Sequence, residues 1–107
     1  MALDVFFTPS AKLDLREARD HYWGQIEELA ERFVECAQFA VSRIARSPGQ
    51  FATVYKNVRQ CPLKQFPFVI SFREATGRIE ILAILHGHRN PMIWKCRGQS
   101  SSHQMAS

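Results

Sequence analysis

The residues best suited to chemistry follow the most apolar stretch of the chain, in the segment ILAILHGHRNPMIWKCR at positions 81–97. His86 and His88 stand two apart, a spacing that places both side chains on one face of a strand, as a metal site requires. A third ligand would have to be Cys96 or His103, and neither stands at a characteristic spacing. The pattern favours histidines that are hydrogen-bonded at the end of a strand, so we expect no metal and no cofactor.

Nucleophilic and paired-carboxylate chemistry both lack support in the sequence. Ser71 and Thr76 have no acid and base partners nearby in the chain. Glu74 and Glu80 are the only acids after residue 50, which argues against a glycosidase or a similar acid-base hydrolase. The cysteines lack CxxC spacing and are odd in number, which indicates reduced thiols; they are Cys36, Cys61 and Cys96.

Cleavage of RNA remains open, because it can proceed with His, Lys and Arg alone. One group moves protons, and the others stabilise the charge that develops on phosphorus. The composition therefore permits a ribonuclease without indicating one. The candidate side chains are Lys56, Arg59, Lys64, Arg73, His86, His88 and Arg89.

The first half of the chain must position these residues with one strand and two helices. Residues 3–7 are predicted to form a strand, after which Thr8 can cap a helix that has Pro9 at its first position. Apolar residues recur at helical spacing from Ala11 to Tyr22, with polar residues such as Asp14 between them, and Gly24 ends this helix. A second amphipathic stripe, from residue 26 to residue 44, ends at Ser-Pro-Gly, so the two helices form an antiparallel hairpin.

The second half changes to an extended pattern. Residues 54–62, 66–74 and 78–86 are predicted to form a meander of three antiparallel strands. In the last strand, both faces are apolar, which is typical of a strand with neighbours on both sides. We expect one face to carry Ile79, Ile81, Ala83 and Leu85, and the other face to carry Leu82 and Ile84. Trp94 is expected to fold back over the sheet, and residues 98–107 to form a flexible tail.

Charge is distributed unevenly along the chain. Residues 1–50 contain six Lys/Arg and eight Asp/Glu, a net charge of −2, whereas residues 51–107 contain eight Lys/Arg and two Asp/Glu, a net charge of +6. The basic half suggests a surface that meets an anionic partner, either nucleic acid or an acidic protein segment. Solubilising cations at the sheet edges are the alternative. The N-terminus does not read as a signal peptide, and no apolar run is long enough to span a bilayer, so we expect a cytoplasmic protein without membrane contact.

The order of elements and several motifs together resemble the RelE/ParE superfamily of bacterial toxins. The motifs are PLKQFPFVISFRE at positions 62–74 and RIEILAILHGHRNPMIW at positions 78–94. The resemblance covers about residues 3–97 and implies an α+β fold, with an N-terminal strand and a two-helix hairpin packed on an antiparallel sheet. Residues 1–97 would form a single toxin domain, neutralised by a cognate antitoxin, ParD-like or other, in a hetero-oligomer.

The superfamily divides by cellular target. The resemblance implies that RelE-like members cut messenger RNA on the ribosome with an arginine in the middle of the third strand, whereas ParE-like members bind DNA gyrase without catalysis. Here that strand reads FPFVISF and has no basic residue before Arg73, which favours the ParE-like reading. A ribosome-dependent endoribonuclease and a non-toxic binding scaffold are the alternatives. The candidate target-binding residues are Arg73, His86, His88, Arg89, Trp94 and Lys95.

Overall fold

The computed structural model describes residues 2–87, in which two helices pack on one face of a five-stranded sheet. The N-terminal strand and the helix hairpin are present as predicted. None of the helices in this part of the chain is both long and apolar enough to cross a membrane. The elements are β1 (Asp4–Phe7), α1 (Pro9–Trp23), α2 (Glu27–Arg46), a 3-10 turn (Pro48–Gln50), β2 (Thr53–Tyr55), β3 (Val58–Pro62), β4 (Phe68–Ala75) and β5 (Arg78–His86).

The strands are arranged in the order β1-β5-β4-β3-β2, so the first strand of the chain lies beside the last. β3, β4 and β5 pair antiparallel, as the sequence predicts, and β2 pairs antiparallel with β3. The pairing of β1 with β5 is parallel, with Asp4 opposite Arg78 and Phe7 opposite Ile81, so the sheet is mixed and not wholly antiparallel. A parallel pair needs a long crossover connection, and here the helix hairpin and the other strands provide it.

The stretch predicted as one strand over residues 54–62 is two strands, and that prediction was wrong. β2 ends at Tyr55 and β3 begins at Val58, with Lys56 and Asn57 forming the turn between them. Lys56 has φ of 49°, a left-handed conformation that a β-turn uses and a strand cannot. Asn is a common turn residue, but a single Asn after Lys56, without a Gly beside it, is a weak signal.

The start of α1 is fixed by Thr8, as the sequence predicts. The Thr8 hydroxyl accepts a hydrogen bond from the Ala11 N–H at 3.2 Å and donates one to the Ile81 carbonyl at 2.9 Å. The Thr8 N–H also donates to the Ile81 carbonyl at 3.1 Å. One side chain therefore caps the helix and ties it to β5, the strand next to β1.

The main core lies between the helices and the sheet. The apolar stripe of α2 is buried or half-buried except at Ile26, which is 58% exposed because it precedes the first helical turn. Phe33 contacts three other aromatic rings, with ring centroids 5.3–5.5 Å apart. Two of these contacts are edge-to-face, an arrangement that stabilises a core beyond the area that it buries. The three partners of Phe33 are Tyr22, Phe66 and Phe68.

A bulge in β5 changes which residues face the helices. Ser71 of β4 lies opposite Ala83 and Phe72 lies opposite Ile81, which leaves Leu82 as the extra residue. The predicted alternation holds through Leu82 and is wrong for Ala83, Ile84 and Leu85. Ile79, Ile81 and Ile84 belong to the main core, whereas Leu82 and Ala83, with Leu85 packed against them, belong to a second cluster that also contains Val58.

Candidate partner-binding surfaces

Four of the predicted functional residues lie outside the described part of the chain, so their roles stay predictions. They are His88, Arg89, Trp94 and Lys95. The proposed tail over residues 98–107 lies outside it as well. The other candidates, Lys56, Arg59, Lys64, Arg73 and His86, can be placed.

Arg73 lies in an ion-pair cluster on the sheet. Its Nε is 2.8 Å from Oε1 of Glu80, and the Nη2 of Arg78 is 3.3 Å from Oε2 of the same carboxylate. Burial alone would raise the pKa of Glu80, but the hydrogen bonds and charges of Arg73 and Arg78 outweigh it and hold that pKa below its ordinary value. Arg78 also lies over the ring of Phe6, 4.7 Å from the ring centroid. The guanidinium of Arg73 is therefore engaged in a structural pair.

Lys56 and Arg59 lie together at the end of the sheet where the β2–β3 and β4–β5 turns meet. Both line a polar depression of about 520 Å³ that also contains Glu74. Arg59 is held there by its Nη1, which donates to the Phe51 carbonyl at 2.6 Å. The hydrogen bond of Arg59 fixes the chain that follows the 3-10 turn. The residues that line the depression include Lys56 and Arg59 but no His.

His86 is the last residue of β5 and lies far from these cations. It faces Phe68 across the strand pair, with ring centroids 5.7 Å apart. It lies six positions along the strand from Glu80, the partner of Arg73, which corresponds to roughly 20 Å. Within residues 2–87, no group of three or more His, Cys, Asp or Glu could hold a metal ion. The described candidates for a nuclease thus lie at two opposite ends of the sheet. Lys56, Arg59 and Arg73 lie toward the end with the β2–β3 and β4–β5 turns, and His86 lies at the other end, where Lys64 follows β3.

Asp14 is a structurally important residue that the sequence pattern identified only as one of the polar residues between the apolar positions of α1. It is 8% exposed, and its Oδ2 accepts a hydrogen bond from the Ile84 N–H at 3.0 Å. This bond occupies a backbone donor of β5 beyond the point where β1 ends. Helical spacing could have indicated it, because Asp14 lies three residues from Ala11 and four from Ala18, both of which are buried.

The first of two grooves lies at the free edge of β1. We call it the β1 groove; it has a volume of about 610 Å³. β1 pairs only with β5, so its outer edge is not covered by another strand among the described residues. The floor of the groove is apolar and three cations of α1 line it. Its lining residues are Val5, Phe6, Phe7, Leu15, Val34, Lys12, Arg16 and Arg19.

The second groove lies on α2, beside the segment that follows β3. We call it the α2 cleft; it has a volume of about 260 Å³. It shares no lining residue with the β1 groove. The cleft is lined by Arg32, Glu35, Cys36, Phe39, Ala40, Arg43, Pro62, Lys64 and Gln65.

Comparison with solved structures relates this two-layer arrangement to bacterial toxins. A chain of the chromosomal ParDE toxin-antitoxin system from P. aeruginosa superposes with a TM-score of 0.71 and 28% sequence identity, covering 79% of this chain and 96% of that chain. A chain of the RelBE2 toxin-antitoxin complex from Mycobacterium tuberculosis gives a TM-score of 0.54 at 17% identity, covering 80% and 99%. The second likeness establishes the fold alone.

Sequence comparison is more specific. Toxin ParE2 of Mycobacterium tuberculosis is 34% identical over 82 residues, which is 73% of this chain and 75% of the relative. The family model for the ParE toxin of the type II toxin-antitoxin system parDE matches residues 5–91. The chain therefore belongs to the ParE toxin family and is the toxin of a type II toxin-antitoxin system.

Proposed function

We propose that this toxin acts by binding DNA gyrase and not by cutting RNA. The observation that carries the proposal is the separation of the basic residues within the described chain. Arg73 is paired with Glu80, Arg59 is bonded to the Phe51 carbonyl, and His86 lies at the far end of β5. General acid-base catalysis needs groups that converge within hydrogen-bonding reach of one reacting atom. Action by binding needs only an accessible surface.

Two reactions test this proposal side by side. Purified protein is added to a gyrase supercoiling reaction and, separately, to ribosomes that translate a defined message. We expect loss of supercoiling while the message stays intact. Discrete cuts in the ribosome-bound message, with normal supercoiling, would show that the toxin is a ribonuclease.

We further propose that the β1 groove is the site of the cognate antitoxin. Its floor of Val5, Phe7 and Leu15 can take apolar anchors, and the side chains of Lys12 and Arg16 attract carboxylates. The uncovered edge of β1 also offers backbone groups to an extended segment. These features suit an acidic antitoxin segment with apolar anchors that becomes ordered as it binds.

Substitutions in the groove test the antitoxin site. Lys12→Glu with Arg16→Glu should weaken binding of the antitoxin, whereas Lys56→Glu, a charge reversal outside the groove, should leave its affinity unchanged. Calorimetric titration with the purified antitoxin measures both. If the wild type, the Lys12→Glu/Arg16→Glu variant and the Lys56→Glu variant all bind the antitoxin with equal affinity, the antitoxin binds elsewhere on the toxin.

A further inference from the structure

The α2 cleft combines an exposed aromatic ring with three cations. Phe39 is 60% exposed, more than any of the other large hydrophobic residues exposed within residues 2–87. Its cationic neighbours come from two directions, two from α2 and one from the segment after β3. They are Arg32, Arg43 and Lys64, and Glu35 is the only acid among the described residues that line the cleft.

The helical spacing explains how these side chains reach one surface. Arg32, Cys36, Phe39 and Arg43 follow one another at intervals of four, three and four, which places them on one stripe of α2. This stripe differs from the buried stripe that contains Phe33, so Phe39 is not needed to fill the core. Isolated exposed apolar residues are common, but an aromatic ring between cations at a concave surface is typical of a binding site.

Part of this surface is held in place before any partner arrives. The guanidinium carbon of Arg43 lies 5.4 Å from the centroid of the Phe51 ring, which is buried. Pro62 ends β3, so the segment that carries Lys64 leaves from a fixed strand. A preorganised surface loses less conformational entropy on binding than a flexible one.

We propose that the α2 cleft docks an acidic segment of the target protein, with an apolar side chain packed on Phe39 and carboxylates beside Arg32 and Lys64. The inference rests on the proposed function, because it requires that the toxin acts by binding a protein. Three cations against one acid fit an acidic chain. The apolar lining from Ala40 and Pro62, together with the carboxylate of Glu35, suits a protein segment better than a nucleic-acid backbone.

The target is a better occupant of this cleft than the antitoxin. The β1 groove and the α2 cleft have no residue in common, and Val34, the contribution of α2 to the β1 groove, belongs to a different part of the helix surface from Phe39. A chain seated in the β1 groove need not cover the α2 cleft. Variants in the two grooves should therefore affect different partners.

The test uses the full chain and gyrase holoenzyme with relaxed plasmid as the probe. Phe39→Ala, and Arg32→Glu combined with Lys64→Glu, should each reduce inhibition of supercoiling at least about tenfold. Arg32→Lys combined with Lys64→Arg keeps the charge and should inhibit as the wild type does. The unfolding midpoint in urea should stay unchanged for all of them, since the substituted side chains are exposed. Binding of the antitoxin should also be unchanged.

Growth arrest in cells that express each variant separates the two proposals. If the wild type arrests growth without affecting gyrase, the gyrase proposal fails, and loss of arrest in the Phe39→Ala variant would still support the cleft as the target surface. Normal arrest and normal inhibition by folded α2 cleft variants would overturn the inference. The inference would also be overturned if the α2 cleft variants lost only the binding of the antitoxin. The same holds if they lost binding to duplex DNA but still inhibited gyrase. If the wild-type toxin does not arrest growth, both the gyrase proposal and the α2 cleft proposal fail.

Discussion

Asp14 shows how one side chain can complete a strand edge that no neighbouring strand covers within residues 2–87. β1 pairs with β5 only over Arg78 to Ile81, and the carboxylate of Asp14 accepts the N–H of Ile84 further along. A buried backbone donor without an acceptor would destabilise the fold. The acid on α1 therefore has a structural role, although it lies in the part of the chain that also forms the β1 groove.

Removal of this carboxylate should destabilise the protein. Asp14→Ala leaves the Ile84 N–H without this acceptor, and we expect a loss of about 1–3 kcal/mol in the free energy of unfolding. Asp20→Ala is the matched control on the same helix, because Asp20 is exposed and its charge partner Arg19 is exposed too. Urea unfolding measures both. A loss for Asp14→Ala no larger than the control would mean that the hydrogen bond contributes little.

Glu80 should make stability depend on pH in the acidic range. Its pKa is lowered in the folded protein, since Arg73 and Arg78 outweigh the effect of burial. A group with a lowered folded pKa contributes stability above its unfolded pKa, about 4.3 for Glu, and this contribution disappears as the pH falls through the folded pKa. Wild type should therefore exceed Glu80→Gln in stability at neutral pH, and the difference should shrink below about pH 4.

Thermal unfolding of the two proteins between neutral and acidic pH measures this difference. Glu74→Gln serves as the control, because Glu74 is exposed and one strand position away from Arg73. A difference between wild type and Glu80→Gln that stays constant across the whole range would assign the role of Glu80 to packing and not to charge.

At the scale of elements, α2 is anchored by a single aromatic residue. Phe33 is fully buried and contacts Tyr22 of α1, Phe66 of the loop before β4 and Phe68 of β4. Phe33→Ala should cost about 3–5 kcal/mol of unfolding free energy, because the cavity would lie where the hairpin meets the sheet. Phe39→Ala on the same helix should change it by less than about 0.5 kcal/mol. Equal losses in urea unfolding would contradict this assignment.

The helices could be predicted from sequence more completely than the strands. A periodic stripe and a capping residue such as Thr8 are local signals, and both agree with the structure. The bulge at Leu82 is not local, because it depends on how Ser71 and Phe72 of another strand align with β5. An apolar residue fits either face there, so the sequence carries no signal for the shift. The Lys56–Asn57 turn was missed for a similar reason, since its flanking residues all favour strands.

At the scale of the whole molecule, the net charge of a sequence segment does not predict the charge of the surface that the segment forms. The first fifty residues are net acidic, yet they supply all three cations of the β1 groove and two of the three in the α2 cleft. The second half contributes Lys64 to the cleft and the pair formed by Arg73 and Glu80. The candidate sites could therefore not be located by counting charges, because folding determines which charges share a groove.

Salt should weaken antitoxin binding without abolishing it. The cations of the β1 groove are exposed, and each exposed ion pair contributes about 0.2–1 kcal/mol. Between about 0.05 M and about 0.5 M salt, affinity should fall roughly tenfold, while contacts to the apolar floor persist. Calorimetry at several salt concentrations measures the change. Complete dissociation at moderate salt would argue against apolar anchoring.

The parallel pairing of β1 with β5 has a consequence for synthesis of the protein on the ribosome. β1 is translated before both helices and the other four strands, yet its partner β5 comes after all of them. The nascent chain can form its helices early, since their contacts are local, but the strand at one edge of the sheet has no neighbour until β5 has emerged. The toxin thus cannot complete its sheet until all the elements between β1 and β5 have been made, and β1, which forms part of the β1 groove, lacks its strand partner until then.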